Sequence, residues 1–325
     1  MGLPSHVAMC FSVRDCGGYL PSLFANIEDL RKGLPDTRVT CIFIYDNCSD
    51  NSEQLIREYA RDRPDVVVET LVNLSPLRTV RIANARNRYL EILETLDGVD
   101  YHIVVDCDDV CASRWDIGVI RESLESSEGW DSLSFNRPDY YDIWALLFDG
   151  FIHHCHGFAS RTCPSEPTGV VQLMQSYLQH KLAQSSEPTV AVWSAFCGFA
   201  IYKTPRFRGF RYDGQASSFQ TLFTDQDRRT LEYGLICYYN MDVVCLPNGS
   251  CAEPGQVCEH LFYHVTAVRH GRKIHVSKSA VCSGGAPRVP VPHTPLSVPF
   301  RFRDGNAKVK LTREMLACGV VATQN

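Results

Sequence analysis

Over residues 6–109 short apolar runs alternate with helix-patterned stretches, and this alternation constrains the fold most. His6 to Val13 is an apolar run ended by Gly17-Gly18. Leu20, Leu23, Phe24, Ile27 and Leu30 then recur at helical spacing. Val39 to Tyr45 is a second apolar run, broken by Asp46-Asn47. Asp50 followed three residues later by Glu53 predicts an N-cap and a helix over residues 51–61. Val66 to Val72 reads as a third strand, Arg81 to Leu96 as a long helix, and Tyr101 to Val105 as a fourth strand entering Asp106-Cys107-Asp108-Asp109. Strands this uniformly apolar are buried on both faces. The pattern predicts an α/β fold, a mixed, mostly parallel sheet with helices on both faces. Ligands of such sheets bind beyond the C-terminal strand ends. Asp46 and Asp106 both fall there, on one rim.

The remainder is less regular. Trp115 to Gly214 is aromatic-rich, with Ala191 to Tyr202 reading as one buried strand. Thr224 to Tyr233 reads as a helix and Leu235 to Val244 as further strand. Prolines at 287, 290, 292, 295 and 299 predict an extended tail over residues 286–325, leaving residues 1–285 as one domain of catalytic size.

Composition excludes several classes of function. Lysine plus arginine is 32 and aspartate plus glutamate 37, a formal charge of −5, which excludes a strongly basic nucleic-acid binder. With 45% apolar residues the chain can offset its folding entropy, which excludes general disorder. Apolar runs such as Ile143 to Phe148 are too short to span a membrane, and residues 1–14 do not pattern as a signal peptide. Cysteine is high at 15, an odd number. Cys10, Cys41, Cys197, Cys237 and Cys245 sit inside apolar runs, and no CxxC pair occurs. This usage fits a reduced, cytoplasmic protein in which cysteine serves as a small hydrophobe.

Asp106-Cys107-Asp108-Asp109 is the sharpest chemical feature. Three carboxylates in four residues repel one another unless a cation is present, and hard oxygen ligands suit Mn²⁺ or Mg²⁺. The competing reading is a solvated loop in which Asp108 or Asp109 caps the next helix. Asp46 can accept hydrogen bonds from a base or ribose, while an Asx turn accounts for Asn47, Ser49 and Asp50. Arg81 and Arg86 are five residues apart and project at different angles, so one or both could hold a diphosphate or orient Asp106. Asn87 is awkward inside a helix unless its amide has a partner. His260 could complete a Mn²⁺ site begun by carboxylates, and it and His264 are otherwise ordinary strand or turn residues. Asp225 and Asp227 open the helix after residue 223, and each is a candidate general base or an N-cap. His153-His154-Cys155-His156 with Cys163 lacks a second ligand pair at zinc spacing.

Taken together, these pieces resemble the nucleotide-sugar glycosyltransferases of the GT-A fold. They are Tyr45-Asp46-Asn47-Cys48-Ser49-Asp50, Ile82-Ala83-Asn84-Ala85-Arg86-Asn87, Val105-Asp106-Cys107-Asp108-Asp109, Trp193 to Tyr202, Asp225-Gln226-Asp227 and Cys258-Glu259-His260. The order is similar to that in enzymes of large DNA viruses and in fungal capsule mannosyltransferases. The resemblance implies a GT-A (Rossmann-like) domain with a nucleotide-binding half over 1–112 and an acceptor-side half over 113–285. It implies Asp46, Arg81, Arg86 and Asp106 at the donor, Asp106, Asp108 and His260 on the metal, and Asp227 or Asp225 as the base. The donor would be a UDP-sugar ahead of a GDP-sugar, and the acceptor a glycan. Arg14-Asp15-Cys16-Gly17 departs from the P-x-Y-N that commonly ends the first strand. The strongest rival is a haloacid-dehalogenase-type phosphohydrolase with Asp106 as nucleophile, although three strand–helix units precede its motif here. A non-catalytic nucleotide-sugar-binding module is the other.

Overall fold

Eight strands hydrogen-bond into one sheet in the computed structural model, which describes residues 2–126, 128–137, 139–148, 167–222, 244–245, 251–252, 256–282, 297–299 and 321–323. In chain order the elements are β1 (His6–Val13), α1 (Leu20–Gly33), β2 (Arg38–Asp46), α2 (Ser52–Ala60) and β3 (Val66–Leu71). Next come α3 (Arg78–Thr95), β4 (Tyr101–Asp106), α4 (Ile117–Glu125), β5 (Ser132–Phe135), α5 (Pro167–Gln184) and β6 (Thr189–Val192). β7 (Phe199–Lys203), α6 (Glu259–Arg269) and β8 (Ile274–Ser277) complete the sheet and its cover. The strand order is β3-β2-β1-β4-β7-β5-β8-β6. β7 and β6 run antiparallel to their neighbours and the other pairings are parallel. The expected mixed, mostly parallel sheet is therefore present.

Helices cover both faces because side chains alternate along each strand. Val7, Met9, Phe11 and Val13 of β1 pack with Leu20, Leu23, Ile27 and Leu30 of α1, Ile56 of α2 and Ile120 of α4. Ala8 and Cys10 face the other way, toward Tyr89, Leu90 and Leu93 of α3, Leu178 of α5 and Leu261 of α6. The chain steps from β1 outward to β2 and β3, then crosses back to place β4 on β1's other side. The strand order thus reverses between β1 and β4, with Ser12 opposite Asp106 in register.

Three local expectations are corrected. Residues 191–202 are not one strand. Trp193 and Ser194 donate their N–H groups to the Leu147 carbonyl, the chain turns at Gly198 (φ 82°), and it re-enters as β7 between β4 and β5. The linker is as apolar as the strands because Ala195, Phe196 and Cys197 are buried too. The capping box at α2 does not form. Asp50 accepts from Ser52 N (2.9 Å) and Gly17 N (2.8 Å), tying α2 to the end of β1, while Glu53 accepts from Tyr45 Oη (2.8 Å) and Arg57 Nε (2.9 Å). His260 and His264 lie on α6, not on a strand or turn. Among the described residues, no helix is long and apolar enough to cross a membrane. The helix expected over 224–233, most of the strand over 235–244, the 153–163 cluster and most of the proline-rich tail lie outside the described residues.

Candidate functional site

A cleft of about 660 Å³ opens at the rim where the strand order reverses. Its lining brings together Asp46, Arg81, Arg86, Asp106, Asp108 and His260, six residues singled out in the sequence from four separate segments. Asp225 and Asp227 lie outside the described residues.

Asp46 ends β2 and is 6% exposed. Its Oδ2 lies 3.9 Å from Arg14 Nη1, and its buried Oδ1 has no hydrogen-bond partner. A buried acceptor without a donor is costly, so Oδ1 is suited to a ligand N–H or O–H. Arg14, at the departure from the usual first-strand ending, is exposed and lines the same cleft.

Asp106 ends β4 and is held on both oxygens. Arg86 Nη2 donates to Oδ1 (3.2 Å) and Tyr141 Oη to Oδ2 (3.1 Å). Burial raises the Asp106 carboxyl above the usual carboxylate range, and the Arg86 charge opposes that rise. Arg86 is 5% exposed, and its Nε sits 3.1 Å from Glu259 Oε1, close but not aligned as a hydrogen bond. Its guanidinium also lies over Phe196 (5.0 Å) and Tyr212 (5.6 Å). The contact with Asp106 is the one that the orienting role, of the two left open for Arg86, requires. Arg81 Nη1 donates to the carbonyls of Ser75 and Pro76 (2.9 Å each) and so braces the turn before α3. Asn87 is explained locally, since it donates to Tyr212 O (2.9 Å) and accepts from Tyr212 N (2.8 Å).

His260 and His264 sit one turn apart on α6 and differ sharply. His264 is satisfied at both ring nitrogens, by Ser194 Oγ (3.0 Å) and Tyr202 Oη (2.9 Å), and burial pushes its pKa down to about 3. His260 is 1% exposed and stacks on Phe196 at 4.0 Å, yet neither ring nitrogen has a hydrogen-bond partner. Its Nε2 lies 3.7 Å from Glu259 Oε1, beyond hydrogen-bond reach. Burial, then the Arg86 charge and His264, hold its pKa well below the usual range, so the ring is neutral and in the metal-ligating form.

Hard carboxylates and an orphaned neutral imidazole in one cleft are the ligand types of a Mn²⁺-type ion. Of the two candidate second carboxylates, Asp108 lines the cleft, and Asp109 is exposed and outside its lining. Asp108 Oδ1 also accepts from Val110 N (3.1 Å), which keeps part of the turn reading. The ligand atoms of Asp106, Asp108 and His260 line one cleft without all lying within 4.8 Å of one another; among the described residues Asp15, Cys48 and Asp50 do. That second cluster is built by turn bonds, with Asp15 holding Ser49 and Asp50 holding Gly17 and Ser52.

Three cleft residues escaped the sequence reading: Tyr141, Asp142 and Trp144. Their one sequence signal is the aromatic density of Tyr140-Tyr141-Asp142-Ile143-Trp144. Burial, then the charges of Asp106 and Glu259, pushes the Asp142 carboxyl well above the usual range.

No protein-family model and no curated protein matches the sequence. Solved structures do match. One is the mannosyltransferase PcManGT from Pyrobaculum calidifontis in complex with GDP-Man and Mn²⁺, at 12% identity and TM-score 0.35, over 67% of this chain and 52% of that one. Another is S. aureus TarS, at 11% identity and TM-score 0.36, over 72% and 55%. A third is glucosyl-3-phosphoglycerate synthase from Mycobacterium tuberculosis in complex with UDP, at 13% identity and TM-score 0.34, over 62% and 58%. The chain thus spans just over half the length of each of these solved chains.

Proposed function

We propose that this protein is a metal-dependent glycosyltransferase of the GT-A kind. It moves a hexosyl or pentosyl group from a nucleoside-diphosphate sugar, UDP-linked ahead of GDP-linked, to a hydroxyl of a glycan, free or protein-linked. The observation that carries the reading is one cleft lined by an orphaned buried acceptor, Asp46 Oδ1, and an orphaned neutral imidazole, His260, together with Asp106 and Asp108. A base or ribose donor answers the first, and a metal ion the second. The likeness to enzymes of large DNA viruses and to fungal capsule mannosyltransferases rests on motif order alone. Free thiols at Cys10, Cys41 and Cys197 support the cytoplasmic reading.

In the reaction the bond from the sugar's anomeric carbon to the diphosphate oxygen breaks, and its electron pair leaves with the diphosphate. A bond forms between that carbon and the acceptor oxygen, which gives up its proton. Asp106, Asp108 and His260 would hold Mn²⁺, which when bound neutralises charge on the departing diphosphate. Arg86 and Tyr141 fix the Asp106 carboxylate, and Arg14 and Asp46 receive the nucleoside end. In an inverting reaction Asp227, ahead of Asp225, would take the acceptor proton; in a retaining reaction the departing diphosphate oxygen would take it and no such base is needed.

The test is a panel of UDP- and GDP-sugars with Mn²⁺, scored for free nucleoside diphosphate. Release that stops when EDTA has demonstrably removed the metal is expected. Full activity without metal, or inorganic phosphate as the product, overturns the reading, the latter in favour of a phosphohydrolase. Binding with neither product would leave a nucleotide-sugar-binding module.

A further inference from the structure

The order of strands along the rim assigns each part of the cleft a place. Asp46 ends β2, Arg14 follows β1, Asp106 ends β4, Phe196 precedes β7, and the segment after β5 carries Tyr141, Asp142 and Trp144. With neighbouring strands about 4.8 Å apart, the step from Asp46 to Asp106 spans two strands, about 10 Å, and the step on to β5 about 10 Å more. β7 runs antiparallel, so its start, not its end, lies on this rim, and the Gly198 carbonyl takes the Asp106 N–H (2.8 Å). Whatever continues past the metal-side carboxylates must pass over β7 and β5.

The chemistry of that far end is distinctive. Arg86, the buried cation of that wall, is already engaged by Asp106 and Glu259. The Asp142 carboxyl group beside them can hydrogen-bond a neutral polyhydroxylated group. Trp144 and Phe196 contribute aromatic rings to the same lining. The segment is also rigidly seated. Tyr140 Oη donates to Phe196 O (3.2 Å), Gln175 Nε2 to Tyr140 O (2.9 Å), and Arg137 pairs with Asp139 (3.0 Å). Asp142 Oδ1 accepts from Ala145 N (3.2 Å), which fixes the direction of the carboxylate.

We propose that Asp142 and Trp144 form the sugar subsite of this cleft, the Asp142 carboxyl group hydrogen-bonding hydroxyls of the sugar carried on the nucleotide and Trp144 covering its C–H face. This rests on the proposed function. Asp142 is then a specificity-determining residue that touches the transferred sugar, and it has no part in holding the nucleotide.

The experiment is calorimetric titration, with Mn²⁺, of UDP and GDP alone and then of UDP-glucose, UDP-galactose, UDP-N-acetylglucosamine and GDP-mannose. The protein is wild type, Asp142→Asn, Asp142→Ala, Trp144→Ala or Trp144→Phe. At least one nucleotide-sugar should bind wild type with an affinity different from that of its bare nucleotide. Asp142→Ala should weaken that nucleotide-sugar by about tenfold, the scale of a lost buried hydrogen bond, and leave the bare nucleotide within about twofold. The near-isosteric Asp142→Asn and Trp144→Phe variants serve if the truncations fail to fold. Equal weakening of nucleotide and nucleotide-sugar, or no change in either, overturns the subsite while the proposed function stands. A wild type that binds no nucleoside diphosphate overturns both.

Discussion

Arg86→Met should destabilise the protein without any ligand present, and the size follows from the site. The substitution keeps the stem but removes a guanidinium that is 5% exposed, 3.2 Å from Asp106 Oδ1 and 3.1 Å from Glu259 Oε1. Removing one partner of a buried ion pair costs about 3–5 kcal/mol, because a charge is left buried without compensation. The ring contacts to Phe196 and Tyr212 share the same group and do not add independently. Unfolding entropy is about 2.1 cal/mol/K per residue. For a chain of 325 residues that is about 0.7 kcal/mol/K, so the melting temperature should fall by about 4–7 °C. Arg86→Lys keeps the charge but loses the fork and should recover part of the loss.

The pH dependence of that deficit has a definite sign. Burial already raises Asp106 in the folded state, and Arg86 opposes the rise. Without Arg86 the folded-state value climbs further above the unfolded one. The folded variant then binds more protons than the unfolded chain, and its stability falls as pH rises through that window. The gap between Arg86→Met and wild type should therefore be largest near neutrality and shrink toward about pH 4, where carboxylates protonate. Circular-dichroism melts from acid to neutral pH in EDTA measure it. A drop under about 1 °C, or a gap that widens as pH falls, refutes the assignment of Arg86 as the buried counter-charge.

His260→Ala should weaken Mn²⁺ binding strongly, read by electron paramagnetic resonance titration, whereas His264→Ala should spare it and lose about 1–3 kcal/mol of stability by unpairing Ser194 and Tyr202. Asp46→Asn should leave the melting temperature nearly unchanged, since Oδ1 has no partner to lose and the 3.9 Å contact of Oδ2 is to an exposed Arg14, and should weaken nucleoside diphosphate binding about tenfold by calorimetry. Gly198→Ala should lower the urea midpoint by the equivalent of about 1–3 kcal/mol, because the residue sits at φ 82° and a Cβ would meet Val110 Cγ1 at 2.7 Å. Of Asp225→Asn and Asp227→Asn, one should lower the melting temperature as a lost cap does, and the other should cut turnover by about 10²–10⁴ with donor binding intact. Near-normal turnover in both removes the inverting mechanism with either residue as base.

The first half of the sheet was legible because buried parallel strands are continuous apolar runs, and their polar breaks mark the rim. That is why Asp46 and Asp106 could be paired before any distance was known. Residues 191–202 misled for the same reason. A buried linker is as apolar as a strand, so periodicity alone could not find the turn at Gly198 or the insertion of β7 between β4 and β5. Helical spacing told Arg81 and Arg86 apart in angle but not in partner. Arg81 reaches back to carbonyls five and six residues earlier, and Arg86 reaches Asp106 and Glu259, distant in sequence. Nothing local distinguishes His260 from His264 either. The difference lies in Ser194 and Tyr202, contributed by the segment before β7 and by β7 itself. Asp142 sits in a loop without periodicity, where its one signal was the aromatic company it keeps.

Charge is divided unevenly around the cleft, and the division bears on the order in which ligands load. The Asp106, Asp108, Asp142 and Glu259 carboxylates lie on the β4–β5 side, with Arg86 buried among them. Arg14 and Arg78 are exposed in the same lining and Arg81 is half-buried there, Arg14 beside Asp46 and Arg78 near enough to act on Asp106. A divalent cation is drawn to the first group and diphosphate oxygens to the second. Each ligand alone would leave one group uncompensated, while a metal–diphosphate pair satisfies both. Under the proposed function Asp106, Asp108 and His260, which do not all lie within 4.8 Å of one another, would share the ion's shell with the diphosphate oxygens. Under the proposed function metal and nucleotide therefore bind cooperatively, each raising the affinity for the other by the same factor, as linkage requires.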